Sequence, residues 1–319
     1  MKKGVSVTAG RIPLLVLQPL APEHLAPIAA AYEVLYAPTP PERAAAIAAH
    51  GARIRAVLTI GTVGLTTDEI ARLPALELVC ALGVGYENIA VDAARARGIV
   101  IANGAGTNAA SVADHAFGLL IGAVRGLHRL DRQCRDGVWR DALGDLPGVS
   151  GKRLGLFGLG AIGQQIARRA AGFDMPVGYH SRHARADVPH RYFASLLDLA
   201  AWCDVLVCAT PGGAATHHAV NAEVLAALGP RGYLVNIARG SVVDTEALAA
   251  ALRTGGIAGA GLDVYESEPQ PPSQLVGLDS VLLSPHVAGR SPEAVQATID
   301  RFLANAEGHF AGRGVVSAV

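Results

Sequence analysis

Short apolar runs alternate with amphipathic segments along the whole chain. Leu14–Leu17 and Ala56–Thr59 have the length of buried strands, and the segments between them, Glu23–Tyr32 and Pro41–His50, have helical patterns. Such alternation predicts βα units whose parallel strands are covered on both faces. In the first third of the chain the predicted strands are 14–17, 33–36, 56–59, 77–81 and 99–101, and the predicted helices are 23–32, 41–50 and 67–73.

The alternation resumes after a long predicted helix at 109–128. The later strands are predicted at 153–157, 176–180, 204–209, 233–237, 259–264 and 280–283, and the helices at 164–171, 196–202, 222–228 and 245–253. A last helix, 292–310, has no strand after it, so we expect it to return to the first domain. The order predicts an α/β fold with two parallel sheets, in which residues 104–286 form a domain inserted into a domain of residues 1–103 and 287–319.

Composition and charge narrow the class of protein. Among the 319 residues, 51% are hydrophobic and 17% are charged, which favours a large core over disorder. Lys+Arg and Asp+Glu are both 27, so there is no electrostatic footprint for nucleic acid or an anionic membrane. No apolar run has the roughly 18 to 20 residues of a membrane span, and the basic start Met1-Lys2-Lys3 is not followed by a cleavage-site pattern. We expect a cytoplasmic protein without nucleic-acid or membrane partners.

Cysteines and histidines give little sign of a disulfide framework or a metal. The four cysteines are too few and too scattered for a disulfide scaffold. No Cys/His cluster has metal-ligand spacing; the nearest candidates are His217-His218 and the pair His180 and His183. We expect no metal site.

The segment Gly158–Gly163 is the strongest motif in the chain. It has the form G-x-G-x-x-G, follows the apolar strand 153–157 and precedes a helical pattern. In this arrangement backbone N–H groups and a helix N-terminus can bind a pyrophosphate, while the glycines permit a tight turn and close packing. The motif therefore predicts a dinucleotide site, although a Gly-rich turn can also serve packing alone.

The end of the next predicted strand indicates which dinucleotide binds. NAD-binding folds usually place Asp or Glu there, on the ribose hydroxyls. This chain has Ser181-Arg182-His183 instead, and no acid before Asp187. A guanidinium suits a phosphate dianion, so Ser181 and Arg182 predict NADP(H) as the preferred cofactor, with NAD(H) still open. The alternative is that Arg182 is a solvated loop charge.

Three later segments each place a chemically useful side chain after a predicted strand. They contribute Arg239, Glu268 and His286. Open α/β sheets bind ligands at the carboxyl ends of their strands, so these three side chains are expected to converge beside the cofactor. Each one alone has an ordinary explanation as a solvated charge or a locally hydrogen-bonded histidine.

These motifs, together with Gly83–Ile89 and Thr107–Asp114, make the chain similar to the D-isomer-specific 2-hydroxyacid dehydrogenase family, over most of its length. The resemblance implies two Rossmann- or flavodoxin-like domains with a cleft between them. It further implies that Arg239 binds the substrate carboxylate and polarises the keto oxygen, and that His286 donates a proton to that oxygen. Glu268 would orient His286 and favour its protonated form. Amides of Val84 and Gly85 would bind the carboxylate from the other domain.

The resemblance also implies a set of cofactor contacts along the carboxyl edge of the sheet. Besides Ser181, Arg182 and His183, the implied cofactor-binding residues are Leu159, Gly160, Ala161, Ile162, Thr210, Pro211, Thr216, Ile237, Ala238, Arg239, Asp263, His286 and Gly289.

The expected activity is reduction of a small 2-keto acid of the glyoxylate or hydroxypyruvate type to the D-2-hydroxy acid. Tyr86 and the region of Trp139 are candidates for the side-chain pocket, or plain packing residues. Alternatives are a reductase of larger acids such as 2-ketogluconate or hydroxyphenylpyruvate, a phosphite dehydrogenase, or a dinucleotide-sensing protein like the corepressors of this fold. Glu268 argues against a formate dehydrogenase, which has Gln there. We also expect a homodimer, since relatives pair through their cofactor domains and the apolar stretches of 109–128 suit a two-fold interface.

Overall fold

The computed structural model describes residues 10–319, which form two compact units. The first consists of residues 10–108 and 292–319, and the second of Ala109–Ser291. The limits expected from the sequence, 103/104 and 286/287, are close to this division, but the assignment of a function to each unit stays a prediction. The Met1–Lys3 segment, on which part of the location prediction rests, lies outside the described residues.

The first unit is a five-stranded parallel sheet covered by helices. Its strand order is β2-β1-β3-β4-β5, the flavodoxin-like order. Leu14 and Leu15 point to opposite faces of β1 and are both 0% exposed, so the sheet is buried on both sides. The strands are β1 (Pro13–Val16), β2 (Glu33–Tyr36), β3 (Ala56–Thr59), β4 (Leu78–Ala81) and β5 (Val100–Ala102); the helices are α1 (Pro22–Ala31), α2 (Pro40–His50), α3 (Thr67–Ala71), α4 (Val91–Ala96) and the C-terminal α11 (Pro292–Phe310).

The second unit is a seven-stranded parallel sheet in the order β12-β11-β10-β9-β6-β7-β8. The chain winds outward from β6 through β7 and β8, and returns to β9 on the other side of β6. The strand order therefore reverses between β6 and β9, which is where such sheets bind ligands. The strands are β6 (Leu154–Phe157), β7 (Val177–His180), β8 (Arg191–Tyr192), β9 (Val205–Cys208), β10 (Tyr233–Asn236), β11 (Gly259–Leu262) and β12 (Val281–Leu283); the helices are α5 (Ala109–Arg125), α6 (Leu127–Arg135), α7 (Ala161–Ala170), α8 (Leu196–Trp202), α9 (Ala222–Leu228) and α10 (Thr245–Arg253).

The predicted fold class, α/β with two Rossmann- or flavodoxin-like parallel sheets, is confirmed. Terminal helix α11 packs in the first unit, where Ile299 and Phe302 lie against the face of the sheet that holds Leu14 and Val16. Helices α8, α9 and α10 have the predicted bounds. The short α4 and β8 were missed by the pattern analysis, because neither has enough residues for a period to be recognised.

The long predicted helix at 109–128 is wrong as a single element. The chain turns at Gly126, which has a φ of 63°, and separates α5 from α6. The apolar residues of α5 are also buried within their own unit: Phe117, Leu119 and Leu120 belong to its core, where α5 packs on α7, β10 and β11. They are therefore not available for the two-fold interface that the apolar pattern suggested.

None of the helices within residues 10–319 is both long enough and apolar enough to cross a membrane.

Candidate active site and cofactor-binding loops

The glycine motif forms a tight turn from β6 into α7. Gly158 has a φ of 102°, and a Cβ there would lie 2.6 Å from the Ala209 carbonyl oxygen at the end of β9. A Cβ on Gly163 would lie 2.4 Å from the Gly158 oxygen. Both glycines are therefore required for the strand, turn and helix to pack closely.

The same turn leaves room for a ligand. A Cβ on Gly160 would meet no atom within 4 Å. Helix α7 begins at Ala161, inside the motif, and the first amide to donate back to the preceding turn is that of Gln164, to the Gly160 oxygen at 2.9 Å. Earlier amides at a helix start point outward and favour an anion. The turn that contains the predicted contacts Leu159, Gly160, Ala161 and Ile162 therefore fits a pyrophosphate.

The loop after β7 carries the residues predicted to choose between dinucleotides. The Ser181 hydroxyl donates to the His183 carbonyl at 2.7 Å, and Arg182 and His183 are exposed. No hydrogen bond of the Arg182 guanidinium is found within residues 10–319. The loop touches the glycine turn through a residue that the sequence reasoning missed: Arg185, whose Nη1 donates to the Leu159 oxygen at 2.8 Å.

The loop after β9 lies beside the glycine turn because β9 and β6 are neighbours in the sheet. Thr210 and Pro211 follow β9, and the Thr216 hydroxyl closes the loop by donating to the Pro211 oxygen at 2.8 Å. Of the other predicted cofactor residues, Ile237 and Ala238 are buried after β10, and Gly289 is half-buried after β12.

Buried Asp263, directly after β11, holds the loop that carries His286. Its side chain is 2% exposed, and its carboxylate accepts the Val287 amide at 3.0 Å, the Ala288 amide at 2.9 Å and the Ser284 hydroxyl. Its backbone oxygen accepts the His286 amide at 2.8 Å. The observed contacts of Asp263 are therefore structural, and its predicted contact with a nicotinamide stays a prediction.

His286 and Glu268 form a hydrogen-bonded pair. Nδ1 of His286 lies 2.7 Å from Oε2 of Glu268, whose Oε1 accepts the Tyr265 amide at 2.8 Å. The other ring nitrogen of His286, Nε2, is thereby left as the one that can face a substrate. His286 has a φ of 53°, in the left-handed region, and its side chain is 40% exposed.

Electrostatics favour the charged forms of both members of this pair. The hydrogen bond to Glu268 raises the pKa of His286 above its ordinary value, against the opposing effects of burial and of the nearby Arg239. Burial alone raises the pKa of Glu268, but the hydrogen bonds from His286 and Tyr265 and the charge of Arg239 outweigh it, so that the pKa is lowered. His286 therefore keeps a proton to higher pH than an isolated imidazole.

Arg239 follows β10, the strand next to β11 in the sheet. Buried Asn236 shapes its turn, donating from Nδ2 to the Arg239 oxygen at 3.0 Å and accepting the Ala238 amide at 3.0 Å. Arg239 Nη1 donates to the Ala238 oxygen at 2.7 Å. A Cβ on the following Gly240 would lie 2.0 Å from the Tyr265 carbonyl carbon, so the loops that carry Arg239 and Glu268 are in contact.

Val84 and Gly85, the residues predicted to bind a carboxylate, are located in the first unit, in the loop after β4. The Val84 oxygen accepts Nδ2 of Asn103 at 2.8 Å, and the Gly83 oxygen accepts the Gly104 amide at 2.9 Å. Within residues 10–319, the amides of Val84 and Gly85 donate to no protein atom. Their role in binding a carboxylate stays a prediction.

Sequence reasoning also missed His115, which supports this edge of the sheet. His115 on α5 places Nε2 2.7 Å from the Ser284 hydroxyl and 3.4 Å from the Asp263 carboxylate. The sequence signal was present, since His115 directly follows the Thr107–Asp114 motif. Nothing in the spacing, however, links α5 to a loop that lies 169 positions away.

A histidine cluster near this edge resembles a metal site but contains a hydrogen-bonded His–Glu pair. Ligand atoms of His217, His218 and Glu266 lie within 4.8 Å of one another. Nε2 of His218 is bonded to Glu266 at 2.6 Å, and this bond raises the pKa of His218. The two imidazoles stack at 4.0 Å between centroids with 25° between their planes, whereas a shared metal would have to lie in both ring planes. The contacts here do not support a metal site.

Fold and site together define the class of protein. The parallel sheet has a phosphate-binding turn at its switch point, and an Arg, a Glu and a His follow neighbouring strands. These features are typical of an oxidoreductase that depends on a nicotinamide dinucleotide.

Comparison with known proteins identifies the family. Residues 117–288 match the NAD binding domain of the D-isomer specific 2-hydroxyacid dehydrogenases. A glyoxylate/hydroxypyruvate reductase of Arabidopsis thaliana is 39% identical over 282 residues, which cover 88% of this chain and 90% of the relative. The chain belongs to the D-isomer-specific 2-hydroxyacid dehydrogenase family, and is an NAD(P)-dependent 2-hydroxyacid dehydrogenase or 2-keto acid reductase.

Solved structures show the same likeness over nearly the whole chain. A 2-hydroxyacid dehydrogenase from Ketogulonicigenium vulgare superposes with a TM-score of 0.89 at 36% identity, covering 97% of this chain and 98% of that one. An NADPH-dependent glyoxylate/hydroxypyruvate reductase from Sinorhizobium meliloti, in complex with NADP and malonate, gives a TM-score of 0.85 at 36% identity and covers 97% of each chain.

Proposed function

We propose that this enzyme reduces a small 2-keto acid of the glyoxylate or hydroxypyruvate type to the D-2-hydroxy acid, with NADPH as the preferred cofactor. The observation that carries the reaction is the His286–Glu268 pair at 2.7 Å, beside the loop of Arg239. The names of the Arabidopsis and Sinorhizobium relatives support the substrate class.

Each of the three side chains has one step in this proposal. Arg239 binds the substrate carboxylate and polarises the keto oxygen, because its planar fork offers paired donors. Nε2 of protonated His286 donates a proton to that oxygen and, in oxidation, takes it back. Glu268 holds the ring by Nδ1 and stabilises its charge. When bound, the nicotinamide dinucleotide supplies the hydride. Val84 and Gly85 offer backbone amides to the carboxylate.

The cofactor preference rests on the loop after β7. This loop offers Ser181, exposed Arg182 and His183 where NAD-specific folds present an acid to the ribose. A 2′-phosphate adds a dianion that a guanidinium can bind through two hydrogen bonds. The Sinorhizobium relative, described as NADPH-dependent, supports the same preference.

Steady-state kinetics with a panel of acids tests the proposal. We expect kcat/KM to be highest with glyoxylate or hydroxypyruvate, lower with 2-ketogluconate and hydroxyphenylpyruvate, and higher with NADPH than with NADH. Faster turnover of the large acids would place the enzyme with the larger-substrate reductases. Oxidation of phosphite without reduction of any keto acid would overturn the reaction, and binding of dinucleotide without turnover would indicate a sensing protein.

Assembly as a homodimer is also proposed. Its support is exposed apolar surface in the segment around α6, where Leu127 is 48% exposed and Trp139 is 69% exposed. Light scattering at micromolar concentration should give twice the 32.7 kDa mass of the chain. A mass near that of one chain would contradict the proposal. Cytoplasmic location stays a prediction, to be checked by cell fractionation.

A further inference from the structure

The guanidinium of Arg185 links two loops at the carboxyl edge of the second sheet. Its Nη1 donates to the Leu159 oxygen in the glycine turn at 2.8 Å. Its Nε donates to Oδ1 of Asp187 at 3.0 Å, and its Nη2 donates to Oδ2. One edge of the guanidinium thus binds the protein backbone, and another edge holds both oxygens of a carboxylate.

The position of Arg185 is fixed by the core rather than by chance. The ring of Tyr179 on β7 is 0% exposed, and its hydroxyl accepts the Arg185 amide at 2.7 Å. The same hydroxyl lies 3.4 Å from the Arg185 oxygen, to which it donates. The buried Tyr179 side chain therefore fixes the backbone at Arg185. A fixed backbone limits the positions that the guanidinium can reach.

The place of this arginine is next to the expected ribose site. In dinucleotide-binding folds the ribose 2′ position lies near the glycine turn and near the loop after the next strand, which is β7 in this chain. Arg185 belongs to the loop after β7 and contacts the glycine turn through Leu159. Two parallel N–H donors that bind two carboxylate oxygens are also the arrangement that binds a phosphate.

We propose that Asp187 is an intramolecular competitor of the cofactor's 2′-phosphate, occupying the fork of Arg185 until a 2′-phosphorylated dinucleotide displaces it. This inference rests on the proposed preference for NADPH and deepens it. The Asp187 side chain is 65% exposed and that of Arg185 is 31% exposed, so the carboxylate can turn into solvent while the arginine stays anchored. Asp187 is thus a specificity residue that lowers the affinity for NADPH and leaves NADH little affected, since NADH carries no group for the fork.

Calorimetry with two small ligands tests the competition without any catalytic step. Adenosine 2′,5′-bisphosphate and 5′-AMP differ only in the 2′-phosphate. In the Asp187→Asn variant we expect the bisphosphate to bind about 1.5- to fivefold more tightly, the range for losing one exposed charge contact, while 5′-AMP binds as before. The matched control is Asp131→Asn, which removes another exposed Asp–Arg pair, with Arg135 at 2.9 Å, on α6; it should leave both affinities unchanged.

A double-mutant cycle separates competition from a general charge effect. In an Arg185→Ala background, Asp187→Asn should no longer tighten bisphosphate binding, because there is no fork to release. An equal gain in that background would overturn the competition, as would no gain with Arg185 present or equal changes for both ligands. If the unaltered enzyme binds the two ligands equally but Asp187→Asn gains a preference for the bisphosphate, the competition stands and the proposed preference for NADPH fails.

Discussion

Two aspartates at the carboxyl edge of the same sheet show how differently its loops are held. Asp263, after β11, is 2% exposed and binds two backbone amides and a hydroxyl of the His286 loop. Asp187, after β7, is 65% exposed and binds the side chain of Arg185. A buried carboxylate that satisfies amides is costly to lose, whereas an exposed ion pair contributes little to stability.

This difference in burial indicates that the two loops have separate functions. The His286 loop must keep a proton donor in one position, and the burial of Asp263 provides that rigidity. The loop after β7 only has to match the cofactor, and its exposed charges can be exchanged without unfolding the sheet. We therefore expect substitutions at the first loop to affect chemistry and stability, and substitutions at the second to affect cofactor choice.

The largest effect is expected from removal of the proton donor. His286→Asn should lower kcat for keto-acid reduction by about 10²–10⁴-fold and leave NADPH binding nearly intact. Asn is the matched replacement because it tolerates the left-handed backbone, with a φ of 53°, better than Ala. Stopped-flow kinetics and cofactor titration check this, and a variant with near-normal kcat would remove His286 from the reaction.

The free energy of unfolding should respond differently to substitution of the two aspartates. Asp263→Ala leaves the amides of Val287 and Ala288 without their acceptor, and we expect the free energy of unfolding to fall by about 2–4 kcal/mol. Asp187→Ala should leave the denaturant midpoint unchanged, because its partner is hydrated when released. Urea unfolding of both variants measures this, and similar losses would mean that the two loops are not held differently.

A smaller effect, confined to the cofactor, is expected at Arg182. Arg182→Ala should weaken the use of NADPH, as kcat/KM, by about 1–3 kcal/mol, since a charged partner of the 2′-phosphate is lost. The use of NADH should change much less. Equal losses for both cofactors would show that Arg182 does not contact the 2′-phosphate.

Most of the fold could be predicted because its signals are local. The strands β2 and β3 and the helices α8 to α10 have the predicted bounds, since each strand is a short run rich in strand-forming residues and each helix is a capped segment. The break at Gly126 was not predicted, because a single glycine inside an apolar helical pattern is compatible with a continuous helix. Helix α7 starts earlier than predicted because the last part of the glycine motif is itself helical.

The site was predictable only in part, for a physical reason. Arg239, Glu268 and His286 each follow a strand, and parallel strand ends share one edge, so their convergence could be expected from order alone. The supporting contacts could not, because His115 and Asp263 meet through tertiary packing. The contacts of Arg185 and Asp187 could not be predicted either, since nothing in the spacing shows which loop charge reaches the glycine turn.

The smallest expected effect is a displacement along the pH axis, and it concerns the link between Glu268 and His286. Reduction requires protonated His286, whose pKa is raised chiefly by the hydrogen bond to Glu268. Activity should therefore persist above the ordinary histidine pKa and decline as the pH rises through the raised value. Glu268→Gln keeps the shape of the side chain but removes its charge, so the pKa of His286 should fall and the decline should begin at lower pH.

The link between Glu268 and the protonation of His286 is tested by the pH profile of kcat for keto-acid reduction at saturating NADPH, measured on the unaltered enzyme and on Glu268→Gln. We expect the basic limb of the variant to lie at lower pH than that of the unaltered enzyme. A basic limb at the same pH in both proteins would contradict it, and would mean that Glu268 does not set the protonation of His286.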